Sequence, residues 1–121
     1  METLRAYVGE RLAVVAEGRV LVAIGDVEIG VFAVDGALVA YENRCPHQGG
    51  PVCRGKVLAR VVDNEAGIHS EHVAGSADLS CPWHGWEYDL RTGRHIGTDR
   101  VALRPVAVVV EEDQVFVEVG R

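Results

Sequence analysis

Two short segments carry the residue types from which a metal site is built. Cys45-Pro46-His47 and Cys81-Pro82-Trp83-His84 each offer one thiolate and one imidazole. Together they supply two sulfur and two nitrogen donors, a set that suits zinc in a tetrahedral site or a [2Fe-2S] cluster with mixed ligation. A single buried cysteine is usually a small hydrophobe; two Cys/His pairs, each on a loop bearing Gly and Pro, are a stronger signal. Spacing bears on the choice of metal. Zinc sites usually space two cysteines or two histidines by two or more residues, whereas Cys45 and His47 leave one residue between unlike ligands. In a binuclear cluster one loop can give its sulfur to one iron and its nitrogen to the other, and the second loop can do the same.

Short strands must position these loops. Residues 20–24 and 27–34 read as strands, and Asp35-Gly36 sits between two apolar runs as a hairpin turn, because the tight turn needs positive φ and Gly supplies it. Residues 37–42 return as the paired strand. The first candidate loop follows, at about 43–55. Residues 56–62 suggest another strand. The stretch at about 60–77 has no clear periodicity and reads as a surface excursion holding His69 and His72. Residues 78–81 lead into the second loop, at about 79–90, and 86–90 are strand-like before a turn at Arg91-Thr92-Gly93. Residues 101–110 and 114–119 form a final hairpin. Many short strands with frequent turns predict an all-β sandwich or small barrel, read as one domain over 1–121.

Composition narrows the function. The chain has 121 residues, 48% hydrophobic and 25% charged, with a net charge of −6. An acidic balance argues against nucleic-acid binding, which favours a basic face, and suggests docking on basic partner surfaces. No basic-then-apolar leader is visible, and the most apolar stretches are too short or too interrupted to span a bilayer, so no membrane association is expected. The expected compartment is the cytoplasm. Thiols there stay reduced, which favours metal ligation over disulfides. Three cysteines cannot all pair within one chain in any case.

The segments Cys45-Pro46-His47-Gln48-Gly49-Gly50 and Cys81-Pro82-Trp83-His84-Gly85-Trp86-Glu87-Tyr88-Asp89 resemble the two cluster-binding boxes of the Rieske family. The flanks Val34-Asp35-Gly36, Tyr41-Glu42-Asn43, Asp89-Leu90-Arg91-Thr92-Gly93 and Leu103-Arg104-Pro105-Val106 are similar to its ferredoxin and ring-hydroxylating-oxygenase branch. The resemblance spans roughly residues 18 to 119. It implies a Rieske fold, an antiparallel β scaffold with a small cluster-binding subdomain, and one [2Fe-2S] cluster per chain. Cys45 and Cys81 would bind the inner iron; His47 and His84 would bind the outer iron near the surface. Gly49, Gly50 and Gly85 would permit close backbone approach, Trp83 and Trp86 would shield the cluster, and Pro51 and Pro105 would stiffen its cover.

Departures from the family pattern are also informative. Gly50 and Trp83 stand where the high-potential branch has a disulfide, so that bond cannot form, and Cys53 reads as a buried or semi-buried free thiol outside the ligand set. Trp86 stands where that branch has a serine that bonds a bridging sulfide. Tyr88 keeps the place of a tyrosine that can bond a cysteine sulfur. One donor fewer predicts a midpoint in the lower part of the Rieske range of about −150 to +300 mV. His47 and Cys81 are separated by 33 residues, about twice the family's usual gap; His69, His72 and His95 read as exposed side chains without a role.

No downstream mononuclear-iron segment and no Asp-x-x-His run is visible. The resemblance therefore implies an electron carrier, taking one electron from a flavin-dependent reductase and passing it to a terminal oxygenase. The alternatives are a small subunit of a larger reductase, similar to that of nitrite reductase, and a zinc-stabilised binding module.

Overall fold

The computed structural model describes residues 3–46, 49–58, 61–63, 70–72, 77–83, 85–98 and 100–120, with backbone alone for 61–63 and 70–72. The main sheet has six antiparallel strands: β1 (Thr3–Glu10), β2 (Arg19–Ile24), β3 (Val27–Val34), β4 (Ala37–Glu42), β10 (Pro105–Glu111) and β11 (Gln114–Gly120). Their order is β1-β11-β10-β4-β3-β2, and β2 comes back beside β1, so the sheet curls into a nearly closed barrel. A three-stranded sheet follows, with β5 (Lys56–Leu58), β8 (Asp78–Ser80) and β9 (Glu87–Asp89) in the order β5-β8-β9. The expected all-β class and barrel-like scaffold are thus observed.

Strand β3 joins the two halves. Its side chains alternate, so Ile29 and Val31 enter the barrel with Val14, Val115 and Val117, while Phe32 and Val34 face the other way. That second face meets Leu79, Tyr88, Leu90 and Leu103 of the smaller unit. A strand buried on both faces reads as a continuous apolar run rather than an alternating one. Burying Phe32 on this seam contributes about 1.5–3 kcal/mol.

The hairpin turn at Asp35-Gly36 forms as expected, with φ of 49° and 79°. Glu112-Asp113 makes the same kind of turn, with φ of 49° and 65°. Three features differ from expectation. Strand β1 and the helix α1 (Arg11–Glu17) precede the stretch read as structured. Val14 of α1 plugs the barrel end, and Gly18 at φ 79° ends the helix by donating its N–H to the Val14 carbonyl. The final hairpin begins at Pro105 rather than 101. The excursion contains an antiparallel pair, β6 (Val61–Asp63) with β7 (Ser70–His72). His69 lies outside the described residues.

Candidate functional site: two paired loops at the end of the barrel

Cys45 and Cys81 are buried members of the seam between barrel and small sheet, and neither is in a disulfide. Their loops close in the same way. Cys45 donates its N–H to the Gly50 carbonyl at 2.7 Å and receives the Gly49 N–H on its own carbonyl at 2.7 Å. Cys81 donates to the Trp86 carbonyl at 2.8 Å and receives the Gly85 N–H at 2.9 Å. In each loop the glycine four residues after the cysteine has positive φ, 75° at Gly49 and 71° at Gly85. Only glycine takes that conformation without strain, which explains its placement in both segments. His47 and His84, which follow Cys45 and Cys81 in sequence, lie outside the described residues.

The loops touch. A Cβ on Gly50 would lie 2.8 Å from the Trp83 ring, so the first loop needs glycine there to let the second approach. Trp83 is 57% exposed and Trp86 is half-buried, so Trp83 is a surface cover and not core packing. Tyr88, fully buried on β9, places its hydroxyl 3.2 Å from the Cys45 sulfur. Burial, then the Cys45 hydrogen bond, pushes the Tyr88 hydroxyl pKa up, so it stays protonated and able to donate. Pro105 is exposed and opens β10 opposite Tyr41, where it sets register.

The first loop is tied to the barrel through Asn43. Its backbone N–H donates to the Glu28 carbonyl at 2.7 Å, and its side-chain oxygen receives the Cys53 N–H at 2.7 Å. The Cys53 thiol lies fully buried against Gly30, where a Cβ would come within 2.6 Å of its sulfur, and donates toward the Tyr41 carbonyl at 3.6 Å. The second loop is tied through Tyr41, whose hydroxyl donates to the Leu90 carbonyl at 2.6 Å.

Burial pushes the Cys53 thiol and the Tyr41 hydroxyl each up to about 12. Both groups are held neutral in the fold and ionise more easily in the unfolded chain, whose thiol and phenol titrate near 9.0 and 10.0. The stability this contributes is present below the unfolded values and lost as pH rises through the folded ones. The urea midpoint is therefore expected to be flat up to about pH 9 and to fall between about pH 9 and 12. A midpoint constant to pH 12 would contradict this.

His95, expected to be an exposed side chain without a role, is half-buried beside Tyr88. The turn at 91–93 folds it back opposite Tyr88, and its ring meets Trp86 edge-on at 4.9 Å and Tyr88 at 5.5 Å. Its Nδ1 accepts the Gly97 N–H at 2.9 Å. The spacing of 88 and 95 about a Gly93 turn was the available signal.

The scan against protein-family models matches the Rieske [2Fe-2S] domain over residues 5–110. The chain belongs to the Rieske family. Its cofactor is one [2Fe-2S] cluster. The described residues of this Rieske chain fit that group: two buried thiols outside any disulfide, a protonated tyrosine hydroxyl aimed at one sulfur, and two glycine-closed turns in contact. Solved structures share the fold. The protein assigned as the NADH-dependent nitrite reductase small subunit of Mycobacterium tuberculosis matches with a TM-score of 0.71 at 19% identity, over 100% of this chain and 99% of that one. A chain from the complex of reduced oxygenase and oxidized ferredoxin in carbazole 1,9a-dioxygenase matches at 0.67 and 21% identity, over 93% and 91%. The Sphingomonas yanoikuyae B1 ferredoxin matches at 0.65 and 18% identity, over 97% and 100%. No curated protein sequence matches significantly. No helix among the described residues is long and apolar enough to cross a membrane.

Proposed function

We propose that this chain is a one-electron carrier whose cluster is held by Cys45 and Cys81 on one iron and by His47 and His84 on the other. The pair of identically closed loops, each with a buried cysteine and with a histidine two or three residues on in the sequence, supports the reading. A mixed-ligand [2Fe-2S] cluster takes up and releases one electron at a potential above that of all-cysteine ferredoxins, because neutral imidazoles replace two thiolates. The protein's own residues tune and guard that exchange. Tyr88 donates to the Cys45 sulfur, a bond worth more when the site is more negative, so it favours the reduced state. His95 packs edge-on against the Tyr88 ring and is itself met by Trp86. Trp83 and Gly50 close the two loops over one another.

Tyr88→Phe removes the donor and keeps the ring. About 1 kcal/mol of differential stabilisation corresponds to about 40 mV for a one-electron couple. The midpoint is expected to fall by about that amount in a redox titration; an unchanged or higher midpoint would contradict the assigned role.

The proposed partners are a flavin-dependent reductase as donor and a terminal oxygenase as acceptor, in the cytoplasm. End-to-end similarity to the nitrite reductase small subunit supports a second reading, as a fixed subunit of a larger reductase. Reconstitution tests the first. With NADH, a flavin-dependent ferredoxin reductase and a haem-protein acceptor, added chain should raise acceptor reduction in proportion to its concentration, and Cys45→Ser should not. No acceleration by the intact chain would overturn the carrier reading, and purification only as a stoichiometric complex with a large reductase subunit would favour the second.

A further inference from the structure

One imidazole touches both halves of the candidate site. Tyr88, whose hydroxyl lies 3.2 Å from the Cys45 sulfur, meets the His95 ring edge-on, with centroids 5.5 Å apart and planes at 84°. Trp86, whose carbonyl receives the Cys81 N–H at 2.8 Å, meets the same ring at 4.9 Å and 68°. His95 thus packs against a side chain that bonds the first cysteine and against a residue whose backbone bonds the second.

The imidazole is itself held. His95 faces Tyr88 across an antiparallel bridge. Its N–H donates to the Val101 carbonyl at 2.9 Å, and the next N–H, of Ile96, donates to the Glu87 carbonyl at 3.1 Å. The ring atom Nδ1 accepts the Gly97 N–H at 2.9 Å. An N–H can only donate, so Nδ1 carries the lone pair and the neutral ring has its proton on Nε2. A Cβ on Gly97 would lie 3.2 Å from the ring carbon Cε1, so glycine lets the turn close on the imidazole. Phenylalanine lacks the acceptor and asparagine lacks the ring; histidine makes both contacts.

Tyr88 needs such a neighbour. The torsion about the bond to an aromatic ring has broad wells, so the side chain alone sets the ring plane loosely. The phenolic oxygen lies on the rotation axis and stays in place as the ring turns, but conjugation keeps its O–H in the ring plane. The plane therefore decides where the proton points, and a hydrogen bond weakens steeply as its angle closes. An edge-on aromatic partner fixes that plane.

We infer that His95 is a positioning residue for the cluster: it holds the plane of the Tyr88 ring, keeps the hydroxyl aimed at the Cys45 sulfur, and so raises the midpoint. The inference rests on the carrier reading and on the role of Tyr88 within it. It adds a residue that neither cysteine-bearing segment contains.

A double-mutant cycle on the iron-loaded chain tests it. His95→Asn keeps an acceptor for the Gly97 N–H, as in an Asx turn, and removes the ring. Its midpoint should fall, by no more than the Tyr88→Phe shift. In the Tyr88→Phe background the same substitution should leave the midpoint where it is. His95→Phe, which restores an aromatic edge, should lie closer to the unaltered chain than to His95→Asn. Resonance Raman spectra of the oxidised chain give a readout that needs no turnover: the stretching bands of iron to cysteine sulfur should move in His95→Asn in the same direction as in Tyr88→Phe. His95→Leu, bulky but without an aromatic edge, serves the same cycle should His95→Asn lose its iron. A shift that persists in the Tyr88→Phe background, or no shift in a variant with full iron, would overturn the inference and leave the carrier reading intact. An unaltered chain with no reducible cluster would overturn the carrier reading itself.

Discussion

Cys81→Ala is expected to give a colourless chain with iron content reduced more than about 100-fold, and Cys45→Ala the same. Losing an outer-shell partner of a metal ligand already costs about 10- to 100-fold in affinity, so losing the ligand itself costs more. The backbone of the loop should survive, because its closure uses the Cys81 N–H and C=O, with Trp86 and Gly85, and not the sulfur. The control is Cys53→Ala. That thiol is equally buried, but it packs on Gly30 and donates toward the Tyr41 carbonyl, away from the two paired turns. It should keep full iron and lose about 1–2 kcal/mol of stability from a small cavity. Iron analysis of the three variants checks this; iron loss in Cys53→Ala equal to that in the other two would contradict the ligand set.

Gly55→Ala is expected to be the most destabilising single methyl addition among the described glycines. Gly55 ends a 3-10 turn (Val52–Arg54) at ordinary negative φ, so the cost is overlap and not strain. A Cβ there would lie 1.7 Å from the Ser80 carbonyl oxygen. Ser80 is the last residue of β8, pairs with Lys56 and directly precedes Cys81. Backbone cannot yield as a side-chain tip can, so β5 and β8 must separate, and the loss should exceed about 4 kcal/mol. Gly36→Ala is the comparison. It has φ of 79° and open space, so only the left-handed penalty of about 1–2 kcal/mol applies. Urea unfolding of both variants measures the difference. Similar losses in the two would contradict the packing described at Gly55.

The strands that hold the site were legible because they are regular. β2, β3 and β4 follow from β-branched runs broken by Gly25 and by Asp35-Gly36, and the structure places them within a residue of expectation. β8 and β9 were legible for the same reason. The helix α1 was not, since seven residues ending in a glycine give too little periodicity to distinguish from a strand end. Segment 101–104 was overread because Val101 and Leu103 are apolar; Leu103 is buried against the small sheet rather than paired in the barrel.

Within the candidate site, the place of Tyr88 beside the Cys45 sulfur was legible because an aromatic two residues beyond a glycine-tryptophan turn is a local feature. The place of His95 was not, because it depends on which way the 91–93 turn folds the chain back.

The most direct test of the account is metal, sulfide and spin analysis of the purified chain. It should contain two irons and two acid-labile sulfides per chain. On one-electron reduction it should show the rhombic signal of a mixed-ligand cluster, with coupling to two histidine nitrogens and a midpoint in the lower part of the range of about −150 to +300 mV. A colourless chain holding one zinc and no sulfide would contradict it.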